Sequence, residues 1–226
     1  MEVNCAMGPV HLFLKIPNEN LNLHEGQKID TILEHKRVFE EKNRLIWGQA
    51  SNRKTNLLSL ENQERFCDQI KEGIPTYAFF LAGRGDEKEL YAGKMTNIYK
   101  KGSIGKNSEE INYIPPYQSG KIGTEDDNFS FFVDLESFEK IDIGNLNHIT
   151  LERNNKAITS FKNANSVFII NIDDELKNIL EKTPSQNAKD IDVSTKDVST
   201  KEENNNPSSF LKSFVFKIKN LFKKAQ

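Results

Sequence analysis

Arg44-Leu45-Ile46-Trp47-Gly48-Gln49 is followed, after a polar turn and a helical stretch, by Thr76-Tyr77-Ala78-Phe79-Phe80-Leu81 and then by Leu90-Tyr91-Ala92-Gly93-Lys94-Met95-Thr96-Asn97-Ile98-Tyr99. These are three apolar runs of strand length. The last two are rich in aromatics and are joined by a segment containing Gly83-Arg84-Gly85-Asp86, so they read as a β-hairpin. Between the first strand and the hairpin, Ser59 is placed to cap a helix that carries Leu60, Phe66, Cys67 and Ile70, with Gly73 just past its end.

Working outward, Val10 to Ile16 is an apolar run stopped by Pro17 and reads as a buried strand. Gly26 to Asn43 has helical periodicity, with Ile29, Ile32, Leu33, Lys36 and Phe39 on one face. Downstream, 100–128 is a long connection punctuated by glycine and lysine, and it contains Ile114-Pro115-Pro116-Tyr117. A loop of that length in a compact domain is either functional or disordered. Phe129 to Leu135 is a strand, which Ile141 to Ile143 can extend. Val167 to Ile172 is another strand, leading into a short helix over Asp173 to Glu181. About six strands with two or three flanking helices give an α+β domain, a partly closed mixed β-barrel.

The order Trp-Gly, polar loop, helix, "TYAFFLAG", turn, "LYAGKM" resembles the PUA-like superfamily, specifically its EVE and YTH domains. That resemblance implies an aromatic pocket for a modified base, with a tryptophan near the start of the domain as one wall. Trp47, the only tryptophan, stands at the matching place. It also implies a modified base, nucleotide or nucleic acid as partner and, for prokaryotic domains of the kind, a part in restriction and phage defence. The Lys-, Asn- and Ile-rich composition fits an AT-rich, bacterial coding sequence.

Read from the residues themselves, Trp47 has two equal interpretations, pocket wall or core side chain. Gly48, Gln49, Ser51 and Asn52 beside it supply the small and polar groups that a pocket needs. Phe79, Phe80, Tyr91 and Tyr99 alternate along the hairpin, so about half face the core and one or two, such as Phe79, can reach a pocket. Tyr117 is a lid candidate, since stacking on a base is worth about 1–3 kcal/mol. Its competing interpretation is loop packing.

Catalytic and cofactor chemistry have no foothold in the sequence. Cys5 and Cys67 have no metal spacing, and His11, His24, His35 and His148 sit near no ligand motif. Gly102-Ser103-Ile104-Gly105-Lys106-Asn107 lacks the spacing of a phosphate loop and has Asn where a magnesium-binding hydroxyl belongs. The expectation is a protein that is not an enzyme and carries no cofactor or metal. No secretory leader is visible, so a reduced, cytoplasmic protein is expected.

After Lys182 the composition changes. The segment 183–209 is polar and contains the tandem repeat Asp192-Val193-Ser194-Thr195-Lys196 and Asp197-Val198-Ser199-Thr200-Lys201. With no bulky core former it reads as a disordered linker. Residues 210–226 read as an isolated amphipathic helix. Phe210, Leu211, Phe214, Ile218, Leu221 and Phe222 share an arc bordered by Lys212, Lys217, Lys219 and Lys223. The tail is +5 and the linker −2, so with −2 for the whole chain the first 182 residues carry −5. An acidic body argues against strong non-specific DNA binding. It leaves open a second class of function, an adaptor whose tail docks on a partner protein or, as a peripheral membrane element, on an anionic surface. The chain thus divides into a binding domain over 1–182, a linker over 183–209 and a basic helix over 210–226.

The tail makes a prediction of its own. Full-length protein should sediment with anionic vesicles in a salt-sensitive way, and Phe214→Glu should abolish this as fully as deletion of residues 210–226. Indifference to vesicles of every composition would exclude the membrane-binding role.

Overall fold

The structure is a computed structural model that describes residues 8–17, 19–22, 27–51, 57–160 and 166–182. Asn52, the linker and the C-terminal helix fall outside the described residues. Among the described residues, ten strands and four α-helices follow in the order β1 (His11–Ile16), β2 (Glu19–Asn22), β3 (Gln27–Asp30), α1 (Thr31–Lys42), β4 (Leu45–Ala50), α2 (Leu60–Lys71), β5 (Tyr77–Ala82), β6 (Glu89–Lys100), α3 (Pro116–Ser119), β7 (Phe129–Leu135), β8 (Glu139–Ile141), β9 (Ile149–Leu151), β10 (Val167–Ile172) and α4 (Asp174–Lys182). The class is α+β, as expected. Among the described residues, no helix is long and apolar enough to cross a membrane.

The main sheet runs β4-β7-β6-β5-β1-β10-β9, with β8 paired to β6, while β2 and β3 form a separate ribbon. It is mixed because β1 lies parallel to β5 and antiparallel to β10. Among the described residues β4 and β9 end the strand path without pairing to each other, so in place of the expected partly closed barrel the sheet is open. β6 changes partners along its length. Its first half pairs with β5 and β8, and its second half, past an irregularity between Met95 and Asn97, pairs with β7. Gly93 stands just before this change because a Cβ there would lie 2.5 Å from the Ser137 carbonyl oxygen.

Side-chain alternation puts apolar groups on both faces. Leu12, Leu14, Ala78 and Phe80 join Leu45, Trp47, Phe131, Val133 and Leu135 in one core, covered by α1 and α2. Phe13, Tyr77 and Phe79 point the other way, into a second core with Ile149, Leu151, Ile170 and Leu176. Strands buried on both faces read as continuous apolar runs, which is why "LFL" and "YAFFL" do not alternate.

Helix boundaries follow local chemistry. Asp30 accepts from the Leu33 N–H and starts α1, so 27–30 is strand, not helix as the periodicity suggested. The buried side of α1 is Ile32, His35 and Val38, and Leu33 is 61% exposed. Ser59 caps α2 through the Asn62 N–H, as expected, although Leu60 faces solvent. The connection over 101–128 is ordered. Its isoleucines Ile104, Ile114 and Ile122 build a third apolar cluster with Ile46, Phe129 and Phe132 on the outer face of the β4–β7 pair.

On that same outer face, Asp134 is a nearly buried carboxylate that accepts two hydrogen bonds from Arg44, at 3.0 Å from Nε and 2.6 Å from Nη2. Tyr99 donates to it at 3.1 Å, and the Tyr113 ring lies 4.3 Å from the Arg44 guanidinium. The bond to Asp134 holds the Arg44 guanidinium protonated well above its ordinary range. Removing one member of a buried pair strands the other charge. Arg44→Ala should therefore cost about 3 kcal/mol in a denaturant melt. A loss below about 1 kcal/mol would assign the pair to the weak surface class.

Candidate functional site

Trp47 occupies the centre of an aromatic cluster drawn from distant parts of the chain. His35 of α1 stacks on it with ring centroids 3.7 Å apart and planes 21° from parallel. Phe80 of β5 lies 4.4 Å away and Phe138, just after β7, 6.2 Å away. Phe138 in turn stacks on Tyr91 at 5.5 Å and 12°. At 2% exposure Trp47 is a core side chain in this structure, and it lines none of the grooves described below.

Its polar surroundings are supplied by α3. Tyr117 meets the His35 ring edge-on at 6.0 Å. The next residue, Gln118, is itself buried and pairs with both polar atoms of the Gly48 peptide. The Gly48 N–H donates to Gln118 Oε1 at 3.2 Å, and Gln118 Nε2 donates to the Gly48 carbonyl at 3.1 Å. Gly48 has to be glycine for a separate reason, since a Cβ would come within 2.8 Å of the Phe129 ring.

The residues singled out in the sequence therefore separate. Trp47, Gly48 and Tyr117 come together. Gln49 and Ser51 lie further along the β4 end, where Ser130 Oγ donates to the Gln49 carbonyl and the Ser51 N–H to the Asn128 carbonyl. Phe79 is not part of this group. Strand parity sends it into the second core beside His11, and Phe80 takes the place beside Trp47. His35, Gln118 and Phe138 were missed. Only His35 left a signal, lying three residues after Ile32 on the buried stripe of α1.

His35 is fully buried, and burial pushes its pKa down to about 4 against the opposing pull of the Thr31 carbonyl and the Gln118 side chain. The ring is thus neutral at ordinary pH. Nδ1 lies 2.6 Å from the Thr31 carbonyl and must carry the proton there, so Nε2 is a lone-pair acceptor. That Nε2 is buried and makes no hydrogen bond of good geometry among the described residues, and the nearby Gln118 side chain faces it.

Two grooves formed by described residues flank the sheet. One, of about 280 Å³, is lined by Phe39 and the outer edges of Tyr91 and Phe138, with Glu40, Glu136 and Glu139 around them. The other, of about 530 Å³, lies at the starts of β1 and β5 and contains His11 and Tyr77. Among the described residues there is no cluster of His, Cys, Asp and Glu able to hold a metal ion.

No family model matches the chain, and no curated protein is matched by its sequence. Among solved structures it is similar to the human THYN1 protein, solved in complex with DNA containing 5-methylcytosine, at 13% identity. The match covers 76% of this chain and 96% of that one, with a TM-score of 0.38.

The buried histidines make stability depend on acid. His11, like His35, is pushed down to about 4, mainly by burial. Between pH 6.5 and 4 the unfolded chain therefore binds two protons that the native chain refuses, so stability falls as pH falls through this window. His148 is raised by Asp173 and favours the native state in acid, but it sits at the surface and offsets little. Chemical melts at pH 7 and 4.5 should show a clear loss of stability, which His35→Gln reduces. A flat profile would mean that water reaches both rings.

Proposed function

We propose that the domain is a non-catalytic binding module that takes a modified base, in a nucleic acid or a free nucleotide, beside Trp47, with α3 as the gate. The observation that carries this reading is the Gln118 carboxamide on the Gly48 peptide. A planar group presents one donor and one acceptor, side by side, to a backbone N–H and C=O next to a stacked aromatic pair. A nucleobase edge presents the same adjacent donor and acceptor. Exchange of Gln118 for a base conserves both hydrogen bonds, so the balance depends on moving α3 against the stacking gained, about 1–3 kcal/mol.

His35 supports the same reading. Its Nε2 is a buried acceptor that makes no hydrogen bond of good geometry and faces the Gln118 side chain. An exocyclic amine on the incoming base would donate to it. The sequence resemblance to modified-base pockets points to the same tryptophan. Gly48 and Tyr117 then act as ligand-side backbone and lid, while Phe79 has no part.

Because Trp47 is the only tryptophan, its emission reports on this site alone. Titration with oligonucleotides and nucleotides carrying modified bases should quench and red-shift it as α3 leaves. Gln118→Ala, which removes the internal competitor, should bind roughly tenfold more tightly. Unchanged emission in both proteins across modified and plain ligands at low salt would overturn the proposal.

A further inference from the structure

The groove of about 530 Å³ lies at the starts of β1 and β5, takes lining residues from both α2 and α4, and shares no residue with the cluster above. Its floor is built from the first residues of two parallel strands, His11 of β1 and Tyr77 of β5. The Tyr77 backbone N–H donates to His11 Nδ1 at 3.1 Å. A neutral imidazole that accepts at Nδ1 carries its hydrogen on Nε2, so His11 brings a permanent donor to the groove. The low pKa of its ring means that this donor does not become a charge at physiological pH.

Around this floor stand two cations and two carboxylates. Arg65 of α2 and Glu152, after β9, form an ion pair at 3.0 Å, and Lys177 and Asp174 both belong to α4. Lys177 is close enough for its charge to help depress His11. The lining charges cancel, so a phosphate dianion gains nothing from the groove as a whole, and neither does an isolated cation. What the groove does offer is neutral hydrogen bonding. The Asn155 and Asn171 carboxamides line it, and neither is hydrogen-bonded through its side chain among the described residues. Asn155 is held there by a left-handed backbone, φ 54°, with its N–H bonded to the Leu151 carbonyl. Ile74, Pro75 and Ile172 supply an apolar wall.

Carboxamides read base edges, because each offers a donor and an acceptor in one plane. The volume falls within the range of small-molecule sites. We propose that this groove is a second binding site, for an uncharged nucleoside. The Asn155 and Asn171 amides meet the base edge, the His11 Nε2–H meets a base or ribose oxygen, and the Asp174 carboxylate accepts from a ribose hydroxyl. This site stands independently of the one beside Trp47.

The test uses full-length protein with its histidine rings labelled with ¹⁵N, and adenosine, guanosine, cytidine and uridine as probes. At least one nucleoside should shift the His11 ring resonances at sub-millimolar concentration while Trp47 emission stays constant. Asn171→Asp should weaken that binding tenfold or more, with an unchanged melting temperature. Asn155→Ala gives a second arm if Asn171→Asp destabilises the fold. No His11 shift with any nucleoside at millimolar concentration overturns the proposal. So does a response to free ribose equal to that of the nucleosides, or tighter binding of the corresponding 5′-monophosphates. A nucleoside that moves Trp47 emission and leaves His11 unshifted also overturns it and supports the gated site instead.

Discussion

Asp134 is a carboxylate placed where water barely reaches, on the face of β7 that looks away from the main core. An isolated charge in that position costs several kcal/mol, so the surrounding chain is arranged to neutralise it. Arg44, on the threshold of β4, closes on both oxygens, and Tyr99 of β6 adds a third donor. Three strands are thereby fixed in register at one point. The Tyr113 ring over the Arg44 guanidinium brings the long connection to the same place. Once that connection is anchored, its isoleucines have a surface to cover and α3 follows within three residues. The position of Gln118 against Gly48 is downstream of this ion pair.

The second organising constraint is the two-sided burial of the central strands. β1 and β5 must satisfy a core on each face, so their side chains are apolar at nearly every position, and the few polar ones they carry lie where hydrogen bonding is possible. His11 answers the Tyr77 N–H in this way. Gln69 does the same for the end of β1, receiving the Val10 N–H at 2.9 Å and donating to its carbonyl at 2.9 Å. Polar side chains are thus used as substitutes for missing strand partners at several margins of the sheet. Gln118 is one more instance, distinguished by the stacked rings beside it.

Much of this was legible in the sequence. β7 and β10 coincide with the strands read from their apolar runs, because a strand buried over its full length needs no partner to identify it. The cap at Ser59 and the hairpin around Gly83 were legible for a similar reason, since both are local chemistry. What failed is non-local. Residues 27–30 blurred into the helix that follows them because Ile29 falls in phase with its apolar face, and the single-face reading of α1 gave Leu33 a burial that belongs to His35. Phe79 and Phe80 are equivalent by composition, and only the pairing of β5 with β1 and β6 decides which one faces Trp47. Gln118 and Gly48 are 70 residues apart, and nothing in either stretch announces the other. The groove at the starts of β1 and β5 draws its lining from the N-terminal strand, α2, the start of β5 and α4, so it has no sequence motif at all.

The Gln118–Gly48 contact has a consequence for how the molecule behaves in a crowd. β4 ends the main sheet, and the backbone of its middle residue would otherwise offer a free N–H and C=O to any extended chain that passed. Unprotected edges of this kind are where β-proteins join one another and aggregate. A carboxamide held by its own helix blocks that edge at its centre, without adding a strand and without placing a charge beside the buried rings. Among the described residues, that margin of the sheet is thus covered at its centre by the chain's own side chain.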